Sequence, residues 1–242
     1  MKRRLIRHLG LAAKSQAAKT IAPQLGVTED IIEATKDAIN ADGIFNVARG
    51  KGGGLSVSGG LQNEKSIYPV IKPHLEQWIS SSIFGNHGVT HHRLNPTHSR
   101  KLSGKWSTPD FSLLCAHKFI HAPHKSIELA TVEVKHAPTQ FDVSCVYEAL
   151  AHTRVSSYSI LFFYDDPIFN FVQRGQKAVF EEIKFECSRL GIGLIVSEYP
   201  CDLDMWQYVI PAKKHDPDLR RVDGFVEEAF DDYDKKWLKQ QL

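Results

Sequence analysis

Two carboxylates and one ammonium group near the middle of the chain have a spacing that suits metal-ion chemistry. Asp110 follows Thr-Pro at the start of an apolar run, and Glu133 and Lys135 lie in a second run, SIELATVEVKH. Because successive side chains of a strand point to opposite faces, Glu133 and Lys135 share a face. Opposite charges in an otherwise apolar strand are costly to bury without a purpose or a partner. These three residues are therefore a candidate catalytic group.

The elements around this group predict that its members meet. Segments 110–120 and 126–136 have the composition of strands, and residues 121–125 between them predict the turn of a hairpin. A hairpin with this spacing brings Asp110 beside Glu133.

The ligands that such a hairpin offers are all oxygen atoms. The carboxylates of Asp110 and Glu133 and the backbone carbonyl of Val134 suit a hard cation such as Mg²⁺ or Mn²⁺. An ion of this kind polarises a phosphate and activates a bound water. Lys135 is then expected to orient that water or to stabilise developing negative charge.

The order of predicted elements beyond residue 66 indicates an α/β fold, a mixed β-sheet flanked by helices. Besides the hairpin, we expect helices at 67–85, 142–155 and 173–190 and buried strands at 158–164 and 193–199. We also expect an edge strand at 206–210 and an amphipathic helix near the C-terminus. In the helix at 67–85, Pro73 is expected near the first turn. The histidines ahead of the hairpin match no zinc-ligand spacing and are interpreted as loop residues: His91, His92 and His98.

Residues 1–60 form a separate pattern. Helices are predicted at 2–12, 15–25 and 29–41, followed by two short strands around the glycine-rich tip ARGKGGG. This order resembles a small winged helix-turn-helix domain. The resemblance implies that the third helix enters the major groove of DNA and that the wing touches the backbone.

The charges of this region point to the wing as the DNA contact. The third helix carries four acids that phosphates would repel: Glu29, Asp30, Glu33 and Asp37. Arg49 and Lys51 on the wing are better placed to hold DNA. Dimerisation or protein docking through the winged helix is the open alternative.

A second basic region lies directly ahead of Asp110. No Asp or Glu occurs between Glu76 and Asp110. The basic and aromatic residues of the loop suit a clamp on a phosphate backbone with a ring that stacks on a base: Arg100, Lys101, Lys105 and Trp106. The alternative is a solvated basic loop with a buried tryptophan.

Residues 67–200 resemble the PD-(D/E)xK superfamily of restriction-endonuclease-like phosphodiesterases, through Pro109-Asp110 and Glu133-x-Lys135 and through the helix, hairpin, helix, strand order. The resemblance implies that Asp110 and Glu133 bind the metal and that Lys135 serves the attacking water. Some members add a glutamate from the helix before the hairpin, and Glu76 occupies that position. The expected domains are a winged helix over 1–60 and a nuclease domain, with its C-terminal helix, over 67–242.

The helix after the hairpin offers supporting side chains in Tyr147, Glu148 and His152. Glu148 and His152 are four residues apart and share a helix face, so either could approach the site. An ordinary surface pair is the equally weighted alternative.

We therefore expect a Mg²⁺- or Mn²⁺-dependent DNA endonuclease of the restriction, defence or transposition kind. Because one site per chain cuts one strand, cutting both strands implies a dimer or two sequential nicks, and we expect a homodimer. No apolar run reaches the roughly 18 residues of a membrane span. The four cysteines lack a CxxC spacing, and we expect them to be reduced thiols in a cytoplasmic protein. The alternatives are a DNA-binding regulator or scaffold that no longer cuts and, less favoured, an RNA-processing nuclease. Partner proteins are not readable from the sequence.

Overall fold

The computed structural model of the protein describes residues 1–12, 14–59, 64–83, 89–98, 108–119, 121, 125–164, 176–197 and 199–241. The first part, residues 1–59, is called the N-terminal unit. Its elements are α1 (Lys2–Leu11), β1 (Gln16–Ala17), α2 (Ala18–Leu25), α3 (Glu29–Asp42), β2 (Phe45–Arg49) and β3 (Gly54–Gly59).

The N-terminal unit has the three predicted helices and the predicted strand pair. Its three-stranded sheet has the order β1-β3-β2 and is antiparallel throughout. The short strand β1 is a correction, because a helix was predicted to start at Ser15 and α2 starts only at Ala18. Helix α3 is capped after Asp42 by Gly43, whose φ of 71° is a left-handed conformation that glycine adopts without strain.

Residues 64–241, the sheet unit, contain the remaining elements. Along the chain these are α4 (Glu64–Ser82), β4 (Val89–Pro96), β5 (Phe111–Lys118), β6 (Lys125–His136), α5 (Ala137–Gln140), α6 (Ser144–His152), β7 (Tyr158–Tyr164), α7 (Lys177–Leu190), β8 (Gly193–Ser197), a 3₁₀ turn (Leu203–Met205), β9 (Trp206–Ile210), α8 (Leu219–Ala229) and α9 (Asp232–Gln241).

The sheet unit is built on one six-stranded mixed sheet in the order β4-β5-β6-β7-β8-β9. Strands β4, β5 and β6 pair antiparallel, β6, β7 and β8 pair parallel, and β9 pairs antiparallel with β8. The two parallel connections run through helices α6 and α7, as parallel neighbours require. The predicted α/β class with a mixed sheet flanked by helices is therefore confirmed.

Helices cover both faces of this sheet. Helix α4 packs its apolar stripe, which includes Ile71 and Leu75, against one face. Helices α6 and α7 pack on the opposite face over β7 and β8, and α8 packs on that face over β5 and β6. Strands buried on both faces are mostly apolar, which is why YSILFFY has the single small polar residue Ser159, whose hydroxyl donates to the carbonyl of Ala149.

Three sequence predictions about the sheet unit were wrong in detail. His91 and His92 lie in strand β4, which the sequence analysis assigned to a loop. Helix α4 starts at Glu64, so Pro73 lies in its interior and not in its first turn. The predicted single C-terminal helix is two helices, α8 and α9, separated at Phe230, whose buried ring joins the α8 core.

Tyr199 joins the two units. It follows β8 in the sheet unit, but its ring is buried in the core of the N-terminal unit and stacks on Phe45, with ring centroids 6.3 Å apart. Its hydroxyl donates to Oδ2 of Asp42 at 2.8 Å, and the same carboxylate binds Nζ of Lys2. The N-terminal unit is thus packed against the sheet unit through a buried aromatic side chain. None of the helices in the described ranges is long and apolar enough to cross a membrane.

Candidate active site

The antiparallel pairing of β5 with β6 sets the relation between the two predicted carboxylates. Phe111 pairs with Val132, so continuing the register by one residue places Asp110 opposite Glu133. Asp110 is 8% exposed and Glu133 is 7% exposed. The hairpin therefore brings both acids, 23 residues apart in sequence, to the same end of the β5–β6 pair, as predicted.

Both oxygens of the Asp110 carboxylate accept a hydrogen bond. Oδ2 accepts from the backbone N–H of Val134 at 2.7 Å, where β5 has ended and no longer supplies a strand partner. Oδ1 accepts from the hydroxyl of Tyr68 at 2.5 Å. Tyr68 was not predicted as a site residue, because its only signal was a polar aromatic residue within the apolar stripe of α4.

Lys135 lies between two carboxylates. Its Nζ is 2.7 Å from Oε1 of Glu133 and 2.9 Å from Oε2 of Glu148 on α6. Burial by itself lowers the pKa of this lysine, but the charges and hydrogen bonds of Glu133 and Glu148 outweigh burial and raise the pKa above its ordinary value. Lys135 is therefore a protonated cation in the folded protein at neutral pH.

The second oxygen of Glu133 is bound by α6. Nε2 of His152, which is 2% exposed, lies 3.0 Å from Oε2 of Glu133. Burial by itself raises the pKa of Glu133, but the hydrogen bond from His152 and the charge of Lys135 outweigh it and lower the pKa. Glu133 is therefore held as a carboxylate, and both of its oxygens face a donor.

The three supporting residues on α6 separate into two groups. Glu148 and His152, one helical turn apart, both reach the β6 side chains, as the sequence analysis allowed. Tyr147 points elsewhere, since it is exposed and its hydroxyl lies 3.5 Å from Oε2 of Glu186 on α7. A supporting role for Tyr147 at this site therefore finds no support in the structure.

The pairing of β6 gives the direction of the Val134 carbonyl, the third ligand in the set expected for a cation. In an antiparallel ladder the N–H and C=O of one residue face the same neighbouring strand, so the carbonyl of Val134 faces the Asp110 side, as its N–H does. A carboxylate oxygen that accepts one hydrogen bond keeps a second lone pair. Among the described residues, no three His, Cys, Asp or Glu side chains are grouped to hold a metal, but this set needs only two such side chains and one carbonyl.

Glu76, the acid carried over from the helix before the hairpin, lies at a different place. Its Oε1 is 3.5 Å from Nε2 of His92 on β4. His92 pairs in register with Cys115, five residues along β5 from Asp110. At about 3.3 Å per residue this is roughly 16 Å along the strand. The position of Glu76 thus gives no support to its predicted part in catalysis.

The predicted DNA contacts fall into two groups. Those of the loop ahead of Asp110 lie outside the described residues: Arg100, Lys101, Lys105 and Trp106. Of those on the predicted wing, Arg49 is bound to Glu33 of α3 by a salt bridge, while Lys51 is exposed in the β2–β3 turn. Part of the basic charge of the wing is therefore neutralised within the N-terminal unit.

A scan of the chain against models of known protein families gave no match, and searches among curated proteins and among solved structures gave none either.

Proposed function

We propose that the protein is a divalent-metal-dependent DNA endonuclease whose reacting group is Asp110, Glu133 and Lys135. The observation that carries this proposal is the Lys135 ammonium, almost fully buried and flanked by the carboxylates of Glu133 and Glu148. Buried charges of both signs at the end of a strand pair have an energetic cost that a purely structural strand avoids. Such groups cluster at catalytic sites.

Each member of the group has a distinct role in this proposal. Asp110, Glu133 and the carbonyl of Val134 would hold Mg²⁺ or Mn²⁺, the ions that an all-oxygen set suits. When bound, the ion supplies a Lewis acid for the scissile phosphate and positive charge for the leaving oxygen.

Lys135 acts as a donor and a positive charge. Because its pKa is raised, it stays protonated at neutral pH and does not serve as the base that activates water. An ammonium fixed by two carboxylates is instead suited to orienting the attacking water and to stabilising charge on the phosphate. Glu148 holds the ammonium from the α6 side, and its carboxylate is the more exposed of the two.

The proposal of DNA as the substrate rests on the distribution of charge along the chain. The chain from residue 77 to residue 109, directly ahead of Asp110, contains no Asp or Glu. The N-terminal unit would assist through the β2–β3 turn and Lys51, because the exposed acids of α3 disfavour its insertion into a groove. With one site per chain, both strands are cut by a dimer or by two sequential nicks, and we include a homodimer in the proposal.

The experiment is cleavage of supercoiled plasmid by the full chain with Mg²⁺ or Mn²⁺, and with EDTA. Asp110→Asn and Lys135→Met keep the shape of each side chain and remove its charge. Lys184→Met is the matched control, since Lys184 lies on α7, where it pairs with the exposed Glu181 and its ammonium lies over the ring of Phe180. We expect metal-dependent nicking by the native chain and the control, and its loss in the two site variants. Equal nicking by all four proteins, or none by the native chain, contradicts the proposal.

A further inference from the structure

Tyr68 on α4 contacts the candidate site although it belongs to none of the groups that would hold a cation or touch a phosphate. Its hydroxyl donates to Oδ1 of Asp110 at 2.5 Å, across 42 residues of sequence. The tyrosine is 6% exposed and lies in the core between α4 and the sheet. The contact therefore joins the helix that covers the sheet to the first acid of the site.

The ring of Tyr68 is held on two sides. Phe111 meets it edge-on with centroids 5.3 Å apart, and the ring of His98 lies against it with centroids 4.3 Å apart. A phenylalanine would fill the same space and make the same ring contacts. Burying a hydroxyl without a hydrogen-bond partner costs free energy. The bond to Asp110 therefore accounts for a tyrosine, and not a phenylalanine, at position 68.

Two donors on two different oxygens fix the plane of a carboxylate. The terminal torsion of an aspartate is soft, so one hydrogen bond leaves the group free to rotate. Here Val134 N–H binds Oδ2 and the Tyr68 hydroxyl binds Oδ1. With both bonds made, the remaining lone pairs of the Asp110 carboxylate have fixed directions. The carboxylate lies beside β6, on the side that the carbonyl of Val134 faces.

We infer that Tyr68 is a positioning residue, whose hydroxyl orients the Asp110 carboxylate to hold a divalent cation. The inference rests on the proposed function, because it assigns Tyr68 to the same site. Partners that orient a metal ligand from outside the ligand set typically contribute 10- to 100-fold to metal affinity.

The chain contains a matched pair that serves as a control. Tyr199 is also buried, and its hydroxyl also donates to an aspartate, Oδ2 of Asp42, at 2.8 Å. That pair lies where the sheet unit meets the N-terminal unit, at the C-terminal end of α3. Tyr68→Phe and Tyr199→Phe thus remove the same atom from the same kind of bond, one at the candidate site and one away from it.

The test is calorimetric titration of the full chain with Mn²⁺ alone, with thermal unfolding of each metal-free protein measured in parallel. We expect Tyr68→Phe to weaken Mn²⁺ binding by about 10- to 100-fold, while Tyr199→Phe binds as the native chain does. Both variants are expected to unfold at similar temperatures, since each loses the hydrogen bond of a buried tyrosine hydroxyl to an aspartate. In plasmid cleavage, Tyr68→Phe should need more metal for half-maximal rate and recover when metal is raised.

Three other outcomes would overturn the role of Tyr68. Native-like Mn²⁺ binding by Tyr68→Phe would show that the hydroxyl does not orient a ligand, and the proposed function would stand if the native chain cleaves. A lowered unfolding temperature with unchanged binding would make Tyr68 purely structural. A native chain that neither binds Mn²⁺ nor cleaves would remove the proposed function itself, and the positioning role with it.

Discussion

Nε2 of His152 lies 3.0 Å from Oε2 of Glu133, and both side chains are buried between α6 and the sheet. The other oxygen of Glu133 is 2.7 Å from the ammonium of Lys135. The Glu133 carboxylate is therefore bound by one side chain from its own strand, β6, and by another from helix α6. His152 is not itself a predicted metal ligand, but its imidazole binds one, Glu133. We therefore expect His152 to orient the Glu133 carboxylate.

His152→Ala is expected to lower the rate of metal-dependent plasmid cleavage by about 10- to 100-fold, because Glu133 loses one of its two fixed partners. His152→Gln should retain more activity, since its amide N–H can approach the same oxygen. His74→Ala is the control, because His74 is bound to neither carboxylate of the site: its ring hydrogen-bonds the carbonyl of Cys201 and meets the ring of Trp206 edge-on. Full activity in His152→Ala at native metal requirement would contradict the prediction.

Lys135→Met is expected to destabilise the fold by about 3–5 kcal/mol, because removing one partner leaves buried carboxylate charge without its cation. The free energy of unfolding is measured by urea denaturation at neutral pH. Lys184→Met, which breaks an exposed pair with Glu181, should cost about 1 kcal/mol or less. Equal losses in the two variants would mean that the charges around Lys135 are solvated.

The buried His117 on β5 predicts a loss of stability in mild acid. Burial lowers its pKa below the ordinary value, against an opposing effect of Glu128 and a supporting one of Lys214. As pH falls through about 6.5, His117 takes up a proton in the unfolded chain, while in the folded chain it stays neutral to a lower pH. Stability from this group is therefore present above the unfolded pKa and is lost as pH falls toward the folded one.

The measurement is the free energy of unfolding in urea at pH 7.5, 6.5 and 5.5, values that span the ordinary pKa of histidine at about 6.5. His117→Gln should reduce the slope between the first and last pH. A residual slope is expected, because burial also lowers the pKa of His136. An unchanged slope in His117→Gln would show that folding does not shift the pKa of this histidine, which contradicts the prediction.

Tyr199→Ala is expected to separate the stabilities of the two units. The side chain fills the core of the N-terminal unit from the sheet unit, and truncation of a buried aromatic ring costs about 3–5 kcal/mol. We expect urea unfolding of the variant to show two transitions, with early proteolysis within residues 1–59. A single transition at the native midpoint would contradict this role of Tyr199.

Much of the fold could be predicted from local patterns. The hairpin of β5 and β6, the buried strand β7 and the helices around them follow from apolar runs and turn residues. Strand β4 was missed because VTHHRLNP contains few apolar residues, and its place in the sheet depends on pairing with β5. The break between α8 and α9 was missed because Phe230 continues the apolar stripe of the sequence while the backbone there is extended.

For the site, the sequence by itself determined that Glu133 and Lys135 share a face and that one hairpin brings Asp110 beside them. Both follow from the two-residue period of a strand. Only the tertiary structure decided that Tyr68 and His152 are the partners of Asp110 and Glu133, across 42 and 19 residues of sequence, and that Glu76 is not with them. Those contacts depend on how each helix packs against the sheet, on its rotation and its position along the strands, and no local period of the sequence encodes that docking.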